Sequence, residues 1–204
     1  PAVGWQGVIT DDVNSWSFWS PPIRTSGQRP RVPKGRYIQL HIQLETDALW
    51  DFARLDWLEI ETSPLLADRI LGEIATVAQL RPDSKVIQVP AGEITEFILD
   101  LRAEFSDASQ SGFDAVRLGL PSRGTVLGLE MGDPLAAVEP DSVVDEGGDL
   151  VVYLPQALGP NAADRLRLRL ETAVYGASDQ FRAEVFDRQG DLLPQGVEGG
   201  DASE

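Results

Sequence analysis

Thr95-Glu96-Phe97-Ile98-Leu99-Asp100-Leu101-Arg102-Ala103-Glu104-Phe105 places Phe97, Leu99, Leu101, Ala103 and Phe105 on one side of an extended chain. Glu96, Asp100, Arg102 and Glu104 fall on the other side. Side chains repeat every two residues only in a strand, so this stretch reads as a β-strand with one face buried and one face solvated. Tyr37 to Leu44 uses the same device: Ile38, Leu40, Ile42 and Leu44 oppose Tyr37, Gln39, His41 and Gln43. Leu166 to Val174 repeats it, with Leu166, Leu168, Leu170 and Val174 set against Arg165, Arg167, Arg169 and Glu171. Shorter strands are expected at Leu55 to Ile60, Val116 to Leu120, Thr125 to Leu129, Leu150 to Leu154 and Phe181 to Phe186. Gly 19 and Pro 14 fall largely in the connections between them. Pro64 to Ile74 has Leu66, Ile70 and Ile74 spaced by four, which suits a short helix. Gly72 and the strands on both sides favour an extended linker there.

Two of the long strands carry a matching lead. Val32-Pro33-Lys34-Gly35 precedes the first and Val89-Pro90-Ala91-Gly92 the second, an offset of 89 − 32 = 57. The short strands that follow open at Leu55-Asp56 and Phe113-Asp114, an offset of 113 − 55 = 58. Near-equal offsets point to a repeated pair of strands, with Arg165 to Phe186 as a third copy lacking the lead. The simpler reading is that any antiparallel hairpin with a turn before it looks this way. Either way the expected fold is all-β: an antiparallel β-sandwich of jelly-roll or immunoglobulin-like type, arranged as two tandem small sandwich units. The divisions expected are 1–66 for a partial or small jelly-roll-like unit, 72–195 for a second sandwich, and 196–204 for an acidic, Gly-rich tail read as disordered.

Composition narrows the chemistry. In 204 residues, Lys+Arg 17 against Asp+Glu 33 gives a net charge of 17 − 33 = −16. A nucleic-acid binder needs a clustered basic face, and an anionic membrane surface makes a similar demand, so neither partner is expected. No apolar run reaches the length of a membrane span, so no membrane insertion is expected. Cys 0 removes disulfides, thiol catalysis and thiolate zinc sites, and His 1 removes a multi-histidine metal centre. The first residue is Pro1, which suggests a processed or excised piece of a longer product.

Trp16-Ser17-Phe18-Trp19-Ser20-Pro21-Pro22, Gly35-Arg36-Tyr37-Ile38-Gln39 and Ala53-Arg54-Leu55-Asp56-Trp57-Leu58-Glu59-Ile60 follow one another in that order. Together they resemble the closing strands of galactose-binding-like jelly rolls of the discoidin type. The resemblance covers the first third of the chain and lacks the preceding half of that jelly roll. It implies scaffold strands, carries over no binding residue, and fits appended domains of surface and secreted proteins. The expected location is accordingly extracytoplasmic.

Five side chains or clusters carry candidate chemistry. Trp50 between Asp47 and Asp51 has the makings of a carbohydrate contact, because an exposed indole stacks on a sugar ring while carboxylates accept hydroxyl protons. Trp16, Trp19 and Trp57 read instead as core plugs. Arg24, Arg29, Arg31, Lys34 and Arg36 form a basic connection that either neutralises acidic loops of the same molecule or grips an acidic patch on a partner. Asp133, Glu139, Asp141, Asp145, Glu146 and Asp149 crowd one region without EF-hand spacing. They read as a solvated acidic loop, with Ca²⁺ as the alternative and no other cofactor expected. Arg165, Arg167 and Arg169 oppose Glu96, Asp100 and Glu104 in sign, which predicts that the two strands neighbour each other.

His41 lies on the polar side of a strand, where an isolated imidazole is ordinarily a surface group. The chain has no G-x-S-x-G elbow, phosphate loop or H-E-x-x-H. The expected function is therefore a non-catalytic β-sandwich module with a structural or assembly role, its partners neighbouring subunits or domains. A carbohydrate-binding module is the alternative, and a two-carboxylate glycoside hydrolase the third reading.

Overall fold

The computed structural model describes residues 16–28, 30, 32, 37–48, 50–79, 86–160, 164–190 and 192–202. Among them are eleven strands and no helix: β1 (Arg69–Thr76), β2 (Ile94–Glu104), β3 (Phe113–Gly119), β4 (Thr125–Met131), β5 (Ala136–Val138), β6 (Ser142–Glu146), β7 (Asp149–Leu158), β8 (Arg165–Ala173), β9 (Arg182–Phe186), β10 (Gln195–Gly196) and β11 (Glu198–Gly199). The internal contacts divide the chain into Pro1–Glu59 and Ile60–Glu204, and every one of these strands lies in the second unit.

That unit is an all-β sandwich. One sheet runs β11-β1-β2-β8-β4-β5 and the other β10-β9-β3-β7-β6. All pairings are antiparallel except the short one between β1 and β11. β2 pairs with β8 in the first sheet and β3 with β7 in the second. Strands distant in sequence thus pair within each sheet, and the chain passes from one layer to the other between β2 and β3.

The alternation in the sequence fixes which side of each strand meets the other sheet. Phe97, Leu99, Leu101 and Ala103 are buried as their period requires, and so are Leu166, Leu168 and Leu170. Leu168 lies directly opposite Leu99 on β2 and Leu129 on β4, so three leucines make one rung across the first sheet. Phe113, Val116 and Leu118 from β3, Val152 and Leu154 from β7 and Val185 from β9 join the same cluster from the second sheet. Burying a leucine contributes about 1.5–3 kcal/mol, so this layer is the main favourable term in the fold.

Of the three strand pairs read as a repeat, the first forms no strand, and the other two are not hairpins. β2 belongs to the first sheet and β3 to the second, and β8 and β9 divide in the same way. Each pair therefore crosses between layers. β2 lies beside β8 and β3 beside β9, so the two copies are neighbours in both sheets.

Two turns require glycine. Gly147 and Gly148, at φ 67 and 102°, join β6 to β7 in a two-residue hairpin, which demands positive φ at both central positions. Gly112 enters β3 at φ 71°, where a Cβ would stand 1.8 Å from the Leu158 carbonyl oxygen.

Three expectations are corrected here. Pro64 to Ile74 is neither helix nor linker: β1 begins at Arg69 and aligns Ile70, Gly72 and Ile74 opposite Ala103, Leu101 and Leu99. A spacing of four is a multiple of two as well as a near-turn of helix, and the ladder with β2 decides between them. The stretch after Gly196 is not disordered up to Ala202. β10 pairs with β9, β11 pairs with β1, and Ala202 is buried, so the tail ties one sheet to the other. The side chain of Gln195 secures it by accepting from the Leu66 and Ala67 amides and donating to the Ala67 carbonyl.

The third correction concerns Pro1–Glu59. Tyr37 to Leu44 and Leu55 to Ile60 carry no ladder pairing, and their apolar side chains stay open to solvent. Trp16, Trp19 and Trp57 are likewise exposed rather than plugging a core. Alternation creates a greasy face but supplies no second strand to cover it.

Candidate functional site

The outer face of the first sheet holds a row of charge. Glu73, Asp100, Arg167 and Glu130 stand opposite one another across β1, β2, β8 and β4. Arg167 donates to Asp100 through Nε at 2.6 Å and Nη2 at 2.9 Å, a two-pronged pair. Asp100 is only 8% exposed, because the strands on both sides and the guanidinium cover it. The bond to Asp100 raises the Arg167 pKa above its ordinary value, with the charges of Asp100 and Glu130 adding to the effect against desolvation. Diagonally along the same strands, Arg169 donates to Glu96 at 2.8 and 2.6 Å. The opposed charge rows in the sequence therefore do mark adjacent strands.

The second sheet is fastened by Arg188, just past β9. Its Nε lies 2.7 Å from Asp114, Nη1 donates to Asp141 at 2.9 Å, and Nη2 donates to the Leu154 carbonyl at 2.5 Å. The guanidinium also stands over the Tyr153 ring at 5.5 Å. The bond to Asp141 is the main cause of its raised pKa. Arg117, beneath Phe186, reaches Glu146 at 3.3 Å and Glu184 at 3.9 Å.

These bonds account for much of the acidic cluster. Asp141 holds Arg188, Glu146 holds Arg117, and Asp145 accepts from Arg123 and caps the Gly148 amide. Among the described residues no three acids or histidines are grouped as a metal ion requires.

An open groove of about 250 Å³ lies over one end of β8, lined by Ile94, Ser122, Arg123, Thr125, Glu171 and Tyr175. Its serine hydroxyl is already committed: Ser122 Oγ donates to the Ala173 carbonyl at 2.7 Å, accepts from the Ala173 amide and meets Thr172 Oγ1 at 3.0 Å.

In Pro1–Glu59 the turn Ala48 to Asp51 closes through the Asp51 amide on the Ala48 carbonyl at 3.2 Å. Trp50 stands on it 89% exposed, with Asp47 and Asp51 exposed on either side. Of the three residues proposed from sequence, Trp50 and Asp51 thus lie on this turn and Asp47 immediately before it. Phe18, Tyr37, Phe52 and Trp57 are exposed too, so aromatic exposure belongs to the whole segment rather than to Trp50 alone. His41 is exposed with its ring 6.0 Å from that of Trp19. Of the basic connection Arg24 is exposed, while Arg29, Arg31, Lys34 and Arg36 lie outside the described residues.

The stretch read from sequence as a solvated acidic loop contains β6, and the sheet order shows this strand to be an edge, paired with β7 on one side alone among the described residues. No helix among the described residues is long and apolar enough to cross a membrane. Comparison of the chain with protein-family models, with curated proteins and with solved structures returns no match.

Proposed function

We propose that the chain is a non-catalytic structural module that joins neighbouring protein subunits or domains in an extracytoplasmic assembly. The observation that carries this reading is how the charged side chains of the sandwich are used. Arg117, Arg167, Arg169 and Arg188 each bind carboxylates across neighbouring strands or loops, bracing both outer faces over a dry core. Groups spent on bracing stiffen a spacer and are not aimed at a substrate. The exposed amphipathic stretches of Pro1–Glu59 complement this, since large exposed apolar surface marks contact with another macromolecule. Their likeness to closing strands of a discoidin-type jelly roll supports a segment that becomes strand when partnered. Size-exclusion chromatography with light scattering tests the reading. Association that grows with protein concentration is expected, and a monomer at every concentration and salt would remove it.

A second reading has its own observation. Trp50 presents an open indole on a turn with Asp51 beside it and Asp47 just before the turn, an exposed ring with nearby carboxylates of the kind that grips a sugar ring. Retardation on a polysaccharide affinity gel, abolished by Trp50→Ala, would establish it; free migration on every polysaccharide would dismiss it.

A further inference from the structure

We propose that the β6 edge of one copy is completed by Tyr37–Leu44 of a second copy, added as an antiparallel strand. This rests on the assembly reading above and names its partner and surface.

The edge is equipped to receive a strand. Because Gly147-Gly148 form a two-residue hairpin loop, Glu146 and Asp149 are the closing pair that exchanges both backbone bonds. Pairs then alternate along the ladder, so Ser142, Val144 and Glu146 bond to β7. The N–H and C=O groups of Val143 and Asp145 face the open side. Val143 and Val144 are 40% and 41% exposed although their partners on β7, Val152 and Val151, are fully buried. The layer is therefore dry at β7 and wet one strand later. An uncovered edge of this kind is a template for a further strand.

The donor has matching properties. Tyr37–Leu44 has the strand period and no ladder partner, and Ile38, Leu40, Ile42 and Leu44 are 50–56% exposed. An amphipathic strand of this length gains pairing and burial only by joining an existing sheet. Charge selects the edge and the direction. Residues 29–36 carry Arg29, Arg31, Lys34 and Arg36 and no acid, whereas Asp145, Glu146 and Asp149 gather at the hairpin end of β6, the first two also facing Arg123 and Arg117 in half-exposed pairs at 3.3 Å. Antiparallel addition puts Arg36 at that acidic end. Donor and acceptor are different surfaces, so the contact is head-to-tail and continues beyond a dimer.

Two full-length variants, studied by light scattering with thermal melts, test the pairing. Val143→Pro removes an outward N–H while sparing the bonds to β7, and proline is tolerated on edge strands. Ile42→Pro breaks the donor. The expected result is that the unmodified chain forms assemblies beyond the dimer, that each variant alone is monomeric, and that their mixture gives a 1:1 dimer. That dimer requires the open edge of the Ile42→Pro chain to accept the intact donor of the Val143→Pro chain, so it cannot arise from unfolded variants. Raising salt by a factor of ten should weaken the association about tenfold or more through screening of the basic lead. Association that survives both substitutions would overturn the β6 pairing and leave the assembly reading intact. A monomeric unmodified chain would overturn both, as would a chain whose own strand fills its own edge, seen as a monomer that both variants destabilise.

Discussion

Replacing Arg167 by glutamate is the sharpest perturbation of the braced sheet. The substitution removes two charge-assisted hydrogen bonds, at 2.6 and 2.9 Å, from a carboxylate that is 8% exposed. Breaking a fully buried pair costs about 3–5 kcal/mol. Arg167 keeps 30% of its side chain in solvent and Asp100 11%, so the loss should lie nearer 2–3 kcal/mol for truncation to alanine, about half to two-thirds of that range. Glutamate then places a third carboxylate between Asp100 and Glu130, its direct neighbours on β2 and β4. Like charges directly opposite add roughly 0.2–1 kcal/mol for each neighbour, bringing the expected cost to about 2.5–5 kcal/mol. For a unit of 204 − 59 = 145 residues, this lowers the melting temperature by roughly 5–20 °C. The assay should be far-UV circular dichroism in urea and on heating, because all five tryptophans lie within the first 57 residues and none belongs to Ile60–Glu204. Asp100→Arg combined with Arg167→Glu should recover part of the loss. A cost below about 0.5 kcal/mol, the scatter of ordinary surface substitutions, would refute the bracing argument.

Leu168→Ala empties the middle of the rung between Leu99 and Leu129 and should cost about 2–5 kcal/mol in urea unfolding; a cost under 1 kcal/mol would deny the core its centre. Gln195→Ala strips the tail of its bonds to Leu66 and Ala67 and should cost about 1–3 kcal/mol, with faster hydrogen exchange at both amides; unchanged exchange there would show that the tail does not fasten the sheets. Asp107 accepts from the Ser109 amide at 2.8 Å, which lowers its pKa below the usual 3.8. A carboxyl depressed in the folded state stabilises above its unfolded pKa, so that contribution is present above about pH 4 and disappears as pH falls through the lowered value. An NMR titration midpoint for Asp107 at or above 3.8 would contradict the turn geometry.

The sequence made the centre of the sandwich readable and its edges obscure. β2 and β8 stood out because each alternates apolar with charged residues, and the opposed charges of Asp100 and Arg167 announced that they are neighbours. β1 was hidden by Gly72 and by an apolar spacing shared with helices. The glycine is there because a Cβ would meet Val197 at 2.5 Å and Leu101 at 3.2 Å, so it reflects the crossing tail rather than a break in structure. β10 and β11 are two residues each, too short for any period to register, and depend on pairing with distant strands. Tyr37–Leu44 misled for the opposite reason: its pattern is as clean as that of β2, yet period alone supplies no partner. At the candidate site, Trp50 and Asp51 fall on the Ala48–Asp51 turn with Asp47 just before it, as their closeness in sequence requires. The open edge of β6 was invisible, since being outermost in a sheet is a property of topology and not of residues.

Amide hydrogen exchange across the whole chain, first dilute and then concentrated, tests the central claim that a closed sandwich carries an amphipathic segment awaiting a partner. In dilute solution the amides of β2, β3, β7 and β8 should exchange only through global unfolding, while those of Tyr37–Leu44 exchange at nearly unprotected rates. On concentration, Tyr37–Leu44 and the outward amides of Val143 and Asp145 should become protected together. Protection of Tyr37–Leu44 in the dilute chain to the level of β8, or no change in either segment on concentration, would contradict the account.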